Sequence, residues 1–176
     1  MTRLLVVTDF QYDFVSGSLG FPKAQELEEP IAKKIEEYRA NGDEIVFTLD
    51  THDAEEYPKT QEGRKLPVLH CIKGTKGHEL FGKIAHLRLP SDRVFEKTAF
   101  PSPELFGYLM GKHYDSVGFA GLVSSICIIS NAVLAKAALP ETEIIVDAAC
   151  TAAFDEHINT AALDVMENLQ ITVLNR

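Results

Sequence analysis

The chain has 176 residues, 45% of them hydrophobic and 24% charged, which suits one domain, residues 1–176, with one good core. A net charge of −9 disfavours nucleic acid and anionic membrane surfaces as partners, and no apolar run approaches the ~20 residues of a membrane span. The three cysteines, Cys71, Cys127 and Cys150, lack framework spacing and the N-terminus lacks a signal-peptide layout, so the expected setting is reducing and cytoplasmic.

Leu4–Asp9 is a continuous apolar run ending in an acid, the pattern of a buried parallel strand. Phe10–Lys23 reads as a loop, and Glu28–Asn41 as an amphipathic helix with Ile31, Ile35 and Tyr38 on its apolar stripe and Gly42 at its end. Glu44–Leu49 is a second strand, followed by Asp50. Thr51–Gly77 reads as a long irregular stretch, a length that points to function in a compact domain. A short helix over Glu79–Ala85, a strand over Arg93–Glu96 ending at Lys97, and a helix over Pro103–Lys112 follow. Ser116–Ala120 is predicted as a strand, Gly121 as a tight turn, and Ser124–Leu139 as the longest apolar helix. Glu143–Val146 is a strand ending at Asp147, Glu156–Asn168 a helix, and Ile171–Leu174 the last strand.

This alternation predicts an α/β fold: a three-layer αβα sandwich around a mostly parallel six-stranded sheet. Sites in such sheets lie at the carboxyl ends of the strands. Asp9, Asp50, Lys97 and Cys127 all fall there, on different strands. Cys127 near a helix N-terminus has a positive dipole end to favour its thiolate and backbone N–H groups to hold an oxyanion. Asp9 could take the thiol proton and Lys97 could hold the ionised cluster together. Each alone also fits a bland role, as a turn cap, a solvated charge or a packing thiol; their convergence favours chemistry. Asp50 and His52, two residues apart at a strand end, and His70 further on form a donor set for Zn²⁺ or a similar divalent ion, although that spacing alone equally fits solvated histidines.

Four segments resemble the isochorismatase-like cysteine hydrolases, and most closely their nicotinamidase and pyrazinamidase branch. VVTDFQYDF is similar to the family's first strand and D-x-Q-x-D-F signature, VFEKTAF to its lysine segment, GLVSSICIISNA to its nucleophile turn, and VDAACTAAFDEHINTAALDVM to the strand and helix that follow. The resemblance spans essentially the whole chain in the family's order. It implies Asp9, Lys97 and Cys127 as the catalytic residues, a cis bond at Val123–Ser124, and an oxyanion site from backbone around Val123, Ser124, Ile126 and Cys127. D-x-H followed by LPVLHCIKGTKG is similar to that branch's metal region, which implies Asp50, His52 and His70 as ligands. Glu62 in TQEGRKLP is the candidate fourth ligand, ahead of Glu56 and Cys71. Phe14, Tyr57 and Phe100 are the candidate aromatic wall for substrate. Ser125 stands where many members carry Asp, and Leu66, Pro67 and Val68 stand where many nicotinamidases have an aromatic residue.

The expected function is a metal-assisted cysteine amidohydrolase that cleaves a small carboxamide to acid and ammonia through a thioester, with nicotinamide as the first substrate. The alternatives are another small amide or carbamoyl compound, isochorismatase-type vinyl-ether hydrolysis, and a silent binding module. The family's habit implies a homo-oligomer, dimer or tetramer, with Phe95–Phe106 as a possible source of interface aromatics.

Overall fold

The computed structural model describes residues 2–176. Its elements in chain order are β1 (Arg3–Thr8), α1 (Tyr12–Val15), α2 (Pro22–Glu26), α3 (Glu28–Ala40), β2 (Glu44–Asp50), α4 (Gln61–Lys65), α5 (Gly82–Leu87), β3 (Arg93–Lys97), α6 (Pro103–Leu109), β4 (Ser116–Leu122), α7 (Ile129–Ala138), β5 (Glu143–Ala152), α8 (Glu156–Asn168) and β6 (Thr172–Leu174). The six strands form one all-parallel sheet in the order β3-β2-β1-β4-β5-β6. None of the helices described is long and apolar enough to cross a membrane.

The two-sided burial of the sheet explains the unbroken apolar runs. Leu4, Val6, Val117, Phe119, Ile144 and Val146 face one core, completed by Leu105, Leu109, Ala132, Ala135, Leu163 and Met166 from α6, α7 and α8. Leu5, Val7, Ile45 and Phe47 face the other, completed by Ile31, Ile35 and Tyr38 from α3 and Ile84 from α5. Parallel connections are right-handed. The chain first winds from β1 out to β3, then returns to β4 and winds out to β6, so the two helix sets fall on opposite faces. The loops leaving β1 and β4 therefore diverge, and the crevice between them is the topological switch point where such sheets bind ligands.

Several predicted boundaries shift for identifiable reasons. β1 ends at Thr8, and Asp9 leaves it with φ 48°, although its N–H still bonds Thr48 O at 3.1 Å. Phe10–Lys23 is not all loop: α1 and the start of α2 lie within it. Thr51–Gly77 is likewise built from short helical turns, Tyr57–Lys59, α4 and Lys76–His78, too brief to leave a periodic pattern. The short helix expected over Glu79–Ala85 forms over Gly82–Leu87. β5 does not end at Asp147. After an irregularity it re-pairs with β4 at Gly121↔Thr151, and the Asp147 carboxylate is neutralised by Lys34 away from the crevice. Of the expected interface aromatics, Phe95 is buried and Phe100 exposed.

Gly121 is not a turn but a strand residue at φ 125°, where an added Cβ would lie 2.0 Å from Thr8 O on β1. Only glycine lets β4 pass this close to β1. Gly121→Ala is therefore expected to cost about 2–5 kcal/mol from strain and overpacking together, read as a fall in the urea midpoint; an unchanged midpoint would refute this reading.

Candidate active site

Four adjacent strands, β3, β2 and β1 on one side of the crevice and β4 on the other, deliver the polar side chains. Asp50 and Lys97 are the last residues of β2 and β3 and lie in register, and Thr51 N donates to Lys97 O at 2.8 Å to keep the two ends together. Asp9 follows β1, and Cys127 lies in the turn after β4.

These side chains meet around one buried ammonium. Lys97 Nζ is 2.7 Å from Asp9 Oδ2, 3.2 Å from Asp50 Oδ1 and 3.5 Å from Cys127 Sγ. Asp9 Oδ1 accepts the Thr48 hydroxyl at 2.6 Å. Lys97 Nζ and Asp9 Oδ2 form a buried ion pair, and the carboxylate oxygen retains a further lone pair that can face the thiol. Burial pushes the Asp9 carboxyl up against the pull of Lys97. Burial also drives the Cys127 thiol well up; Lys97 opposes this, while Asp9 and Asp50 reinforce it. Burial alone would lower Lys97, but the surrounding Asp9, Cys127 and Asp50 hold it well above its ordinary value. The cluster thus keeps a charged lysine beside a thiol and a carboxylate that compete for one proton.

Cys127 is the fourth residue of a π-helical turn, Ser124–Ile128, that continues into α7. Such single turns interrupt α-helices most often at functional sites. The cis peptide is Leu122–Val123, one residue before the expected Val123–Ser124 bond. β4 pairs through Leu122, and the chain reverses at Val123, whose carbonyl accepts the N–H groups of Ile126 (3.1 Å) and Ile128 (3.2 Å). Val123–Ser124 is therefore already part of the helical turn. The Ile126 N–H, an expected oxyanion donor, is likewise committed to that carbonyl. The Ser124 hydroxyl donates to Asn159 Oδ1 at 2.6 Å and braces the turn rather than the reacting centre. Asn131 was not anticipated. Buried in α7, it donates to Cys127 O at 2.7 Å and to Phe100 O at 3.1 Å, and accepts from Ser102 N at 2.9 Å. An asparagine one turn after a nucleophile in an apolar helix is the signal that marks it.

Asp50 also faces a second cluster. Its Oδ2 is 2.9 Å from His52 Nε2 and 3.2 Å from His70 Nε2, and Glu62 Oε1 is 3.6 Å from His70 Nε2. One donor atom from each of the four lies within 4.8 Å of the others. His70 Nδ1 is 2.8 Å from Val68 O, which assigns its proton to Nδ1 and leaves the Nε2 lone pair facing two carboxylates. Burial lowers the His70 pKa, but the Asp50 bond outweighs it and the net shift is upward. Burial and the Asp50 charge raise Glu62. Burial would raise Asp50, yet His52, His70 and Lys97 hold it far below the carboxylate range. Acceptors converging on one point are the chemistry of a cation site, and two His with two carboxylates suit Zn²⁺ or a similar divalent ion.

Beside both clusters is a cavity of about 210 Å³. Cys127, His70, Asp50 and Glu62 stand at its polar end, and Phe14, Phe100, Val123 and Ile126 form its walls. Phe14 and Phe100 are thus brought to the cavity, as expected. Tyr57 is not. It is buried against the rings of His52 and His70, at 4.6 and 5.1 Å, with its hydroxyl bonded to Leu66 O, because the helical turn at Tyr57–Lys59 directs it behind the donor cluster. Leu19, Leu66 and Phe154 also line the cavity. Phe154 is in the stretch between β5 and α8, where no local pattern marked it. A larger open groove of about 710 Å³ beside α5 and β3 is lined by no Cys, Ser or Thr among the described residues.

The isochorismatase domain model matches residues 3–176. The chain is 28% identical over 187 aligned positions to the nicotinamidase of Saccharomyces cerevisiae, covering 82% of this chain and 86% of that protein. The crystal structure of nicotinamidase PncA from Bacillus subtilis superposes with a TM-score of 0.86 at 26% identity, covering 99% of this chain and 100% of the other. The crystal structure of N-carbamoylsarcosine amidase from Thermoplasma acidophilum does so with a TM-score of 0.81 at 29% identity, covering 99% and 96%.

The electrostatics of the buried ammonium set a signed expectation. Asp9 raises the Cys127 thiol and Lys97 lowers it. Asp9→Asn should therefore move the pH midpoint of Cys127 alkylation by iodoacetamide downward, and Lys97→Met should move it upward. Shifts of the opposite sign would refute the arrangement.

Proposed function

The chain belongs to the isochorismatase family, and on that premise we propose that it is a cysteine amidohydrolase acting on a small aromatic carboxamide, nicotinamide first among them. The observation that carries this reading is the contact of one buried ammonium with Asp9, Asp50 and Cys127 at the polar end of a cavity with apolar walls.

Cys127 Sγ attacks the carboxamide carbon while its proton passes to Asp9 Oδ2. Lys97 stays protonated throughout and balances the negative charge that moves between sulfur and carboxylate. Asp9 then gives the proton to the leaving nitrogen, the C–N bond breaks, and ammonia departs from a thioester. Asp9 next takes a proton from water. The hydroxide adds to the thioester carbon, the C–S bond breaks, and the proton returns to sulfur as the acid leaves. With the Ile126 N–H already bonded to Val123 O, the Cys127 N–H is the donor proposed for the developing oxyanion.

Asp50, His52, Glu62 and His70 would hold a divalent ion, which supplies a fixed positive charge for docking a substrate lone pair such as a ring nitrogen. Phe14 and Phe100 would flank the ring, and Tyr57 would pack the histidines from behind.

A carbamoyl amino acid, the substrate class that the name of the Thermoplasma acidophilum relative implies, fits less well. Among the described residues no Lys or Arg lines the cavity, so away from the bound ion a substrate carboxylate would meet only apolar walls. Burying an unpaired charge costs several kcal/mol.

An ammonia-release assay tests this reading. Nicotinamide and pyrazinamide should exceed carbamoyl amino acids by at least about 100-fold in kcat/KM, the ratio for about 2.7 kcal/mol. Chelation should abolish nicotinamide turnover and added Zn²⁺ should restore it. Preference for the carbamoyl compounds, or turnover indifferent to chelation, would refute the corresponding part.

A further inference from the structure

Two side chains just after β1, one before α1 and one on it, take no part in the chemistry above, yet they bind the donor cluster to the nucleophile cluster. Gln11 is fully buried. Its Oε1 accepts from Asp50 N at 2.8 Å, and its Nε2 donates to Asp50 O and His78 O, both at 2.9 Å. One amide thus holds both backbone polar groups of Asp50. Asp13 Oδ2 accepts from Cys71 N at 2.8 Å, next to His70, and Oδ1 accepts from Ser18 N at 3.3 Å. Room for this carboxylate is kept by two glycines. A Cβ on Gly17 would come within 2.3 Å of Oδ1, and one on Gly77 within 2.0 Å of Oδ2.

Asp9, Gln11 and Asp13 are alternate residues of one short segment. That segment is itself fixed by Gln11 N to Asp9 O at 2.9 Å and Tyr12 N to Glu79 O at 3.0 Å. We propose that Gln11 and Asp13 are positioning residues that set where the ligands Asp50 and His70 stand relative to Asp9 and Cys127. The proposal rests on the metal reading above. Its physical basis is that ligand direction, not only ligand identity, decides metal affinity, and that loss of an outer support typically costs about 10- to 100-fold in affinity. Asp50 makes this acute, because its other oxygen is bound to Lys97. A shift of Asp50 that spoils the metal geometry leaves the thiol cluster undisturbed where Lys97 keeps its contacts to Asp9 and Cys127.

The test is Zn²⁺ affinity by competition with a chromophoric chelator, together with the visible spectrum of the Co²⁺-loaded protein and the Cys127 alkylation rate. Gln11→Asn keeps the amide but stops one methylene short. It should bind Zn²⁺ at least about 10-fold more weakly, change the Co²⁺ spectrum, and alkylate within twofold of wild type. Asp13→Ala should behave alike, and Asp13→Asn, which keeps an acceptor for Cys71 N, should recover to within about threefold of wild type. Should Asp13→Ala not fold, Gln11→Asn and Asp13→Asn carry the test. Zinc affinity within twofold of wild type in Gln11→Asn would overturn the proposal. So would a parallel loss of metal binding and alkylation, as a merely loosened fold would give, or failure of Asp13→Asn to recover. A wild-type protein that bound no zinc would instead overturn the metal reading itself, and this proposal with it.

Discussion

The ammonium of Lys97 is the charge around which the crevice is organised. Taking it out of water costs several kcal/mol, and three acidic groups from three other segments are needed to offset that. Removing the ammonium itself would leave the buried Asp9 and Asp50 carboxylates without their cation, which typically costs about 3–5 kcal/mol. The same contacts that make the lysine tolerable hold the Cys127 thiol and the Asp9 carboxylate on one ammonium. Under the proposed function, stability and chemistry share one set of atoms. A lysine serves better than an arginine, because a compact point charge reaches two carboxylates and a sulfur at once.

The sheet order makes this convergence possible. β1 and β4 are neighbours in space but far apart in sequence, and the chain leaves them in opposite senses. Asp9 comes from one lip of the crevice, Cys127 from the other, and Asp50 with Lys97 from the two strands beyond. Asp50 then joins two functions through its two oxygens, one on Lys97 and one on the histidines. A single carboxylate thereby fixes the distance from nucleophile to donor cluster.

The fold and the meeting of Asp9, Asp50, Lys97 and Cys127 at one sheet edge were legible in the sequence because both rest on local patterns. Continuous apolar runs ending in Asp9, Asp50 and Lys97 mark buried parallel strands and their carboxyl ends. What was not legible depends on contacts between distant segments. Nothing near Gln11 or Asp13 announces partners at Asp50 and Cys71, and nothing near Phe154 places it in the cavity wall. Tyr57 looked like a cavity wall, but a short helical turn with no periodicity sends it behind the histidines. The cis bond was misplaced by one residue because pairing through Leu122, a tertiary property, decides where the strand ends. β5 was cut short at Asp147, an acid whose partner, Lys34, lies on the other side of the sheet from α7 and α8.

The most direct test of the central claim is the rate of ammonia release from nicotinamide by Cys127→Ala, with its metal content matched to wild type. Removal of the nucleophile should leave less than about one part in a thousand of the wild-type rate, since members of such a catalytic unit fail together. Retention of a rate within tenfold of wild type would contradict the account, because no other thiol reaches the cavity.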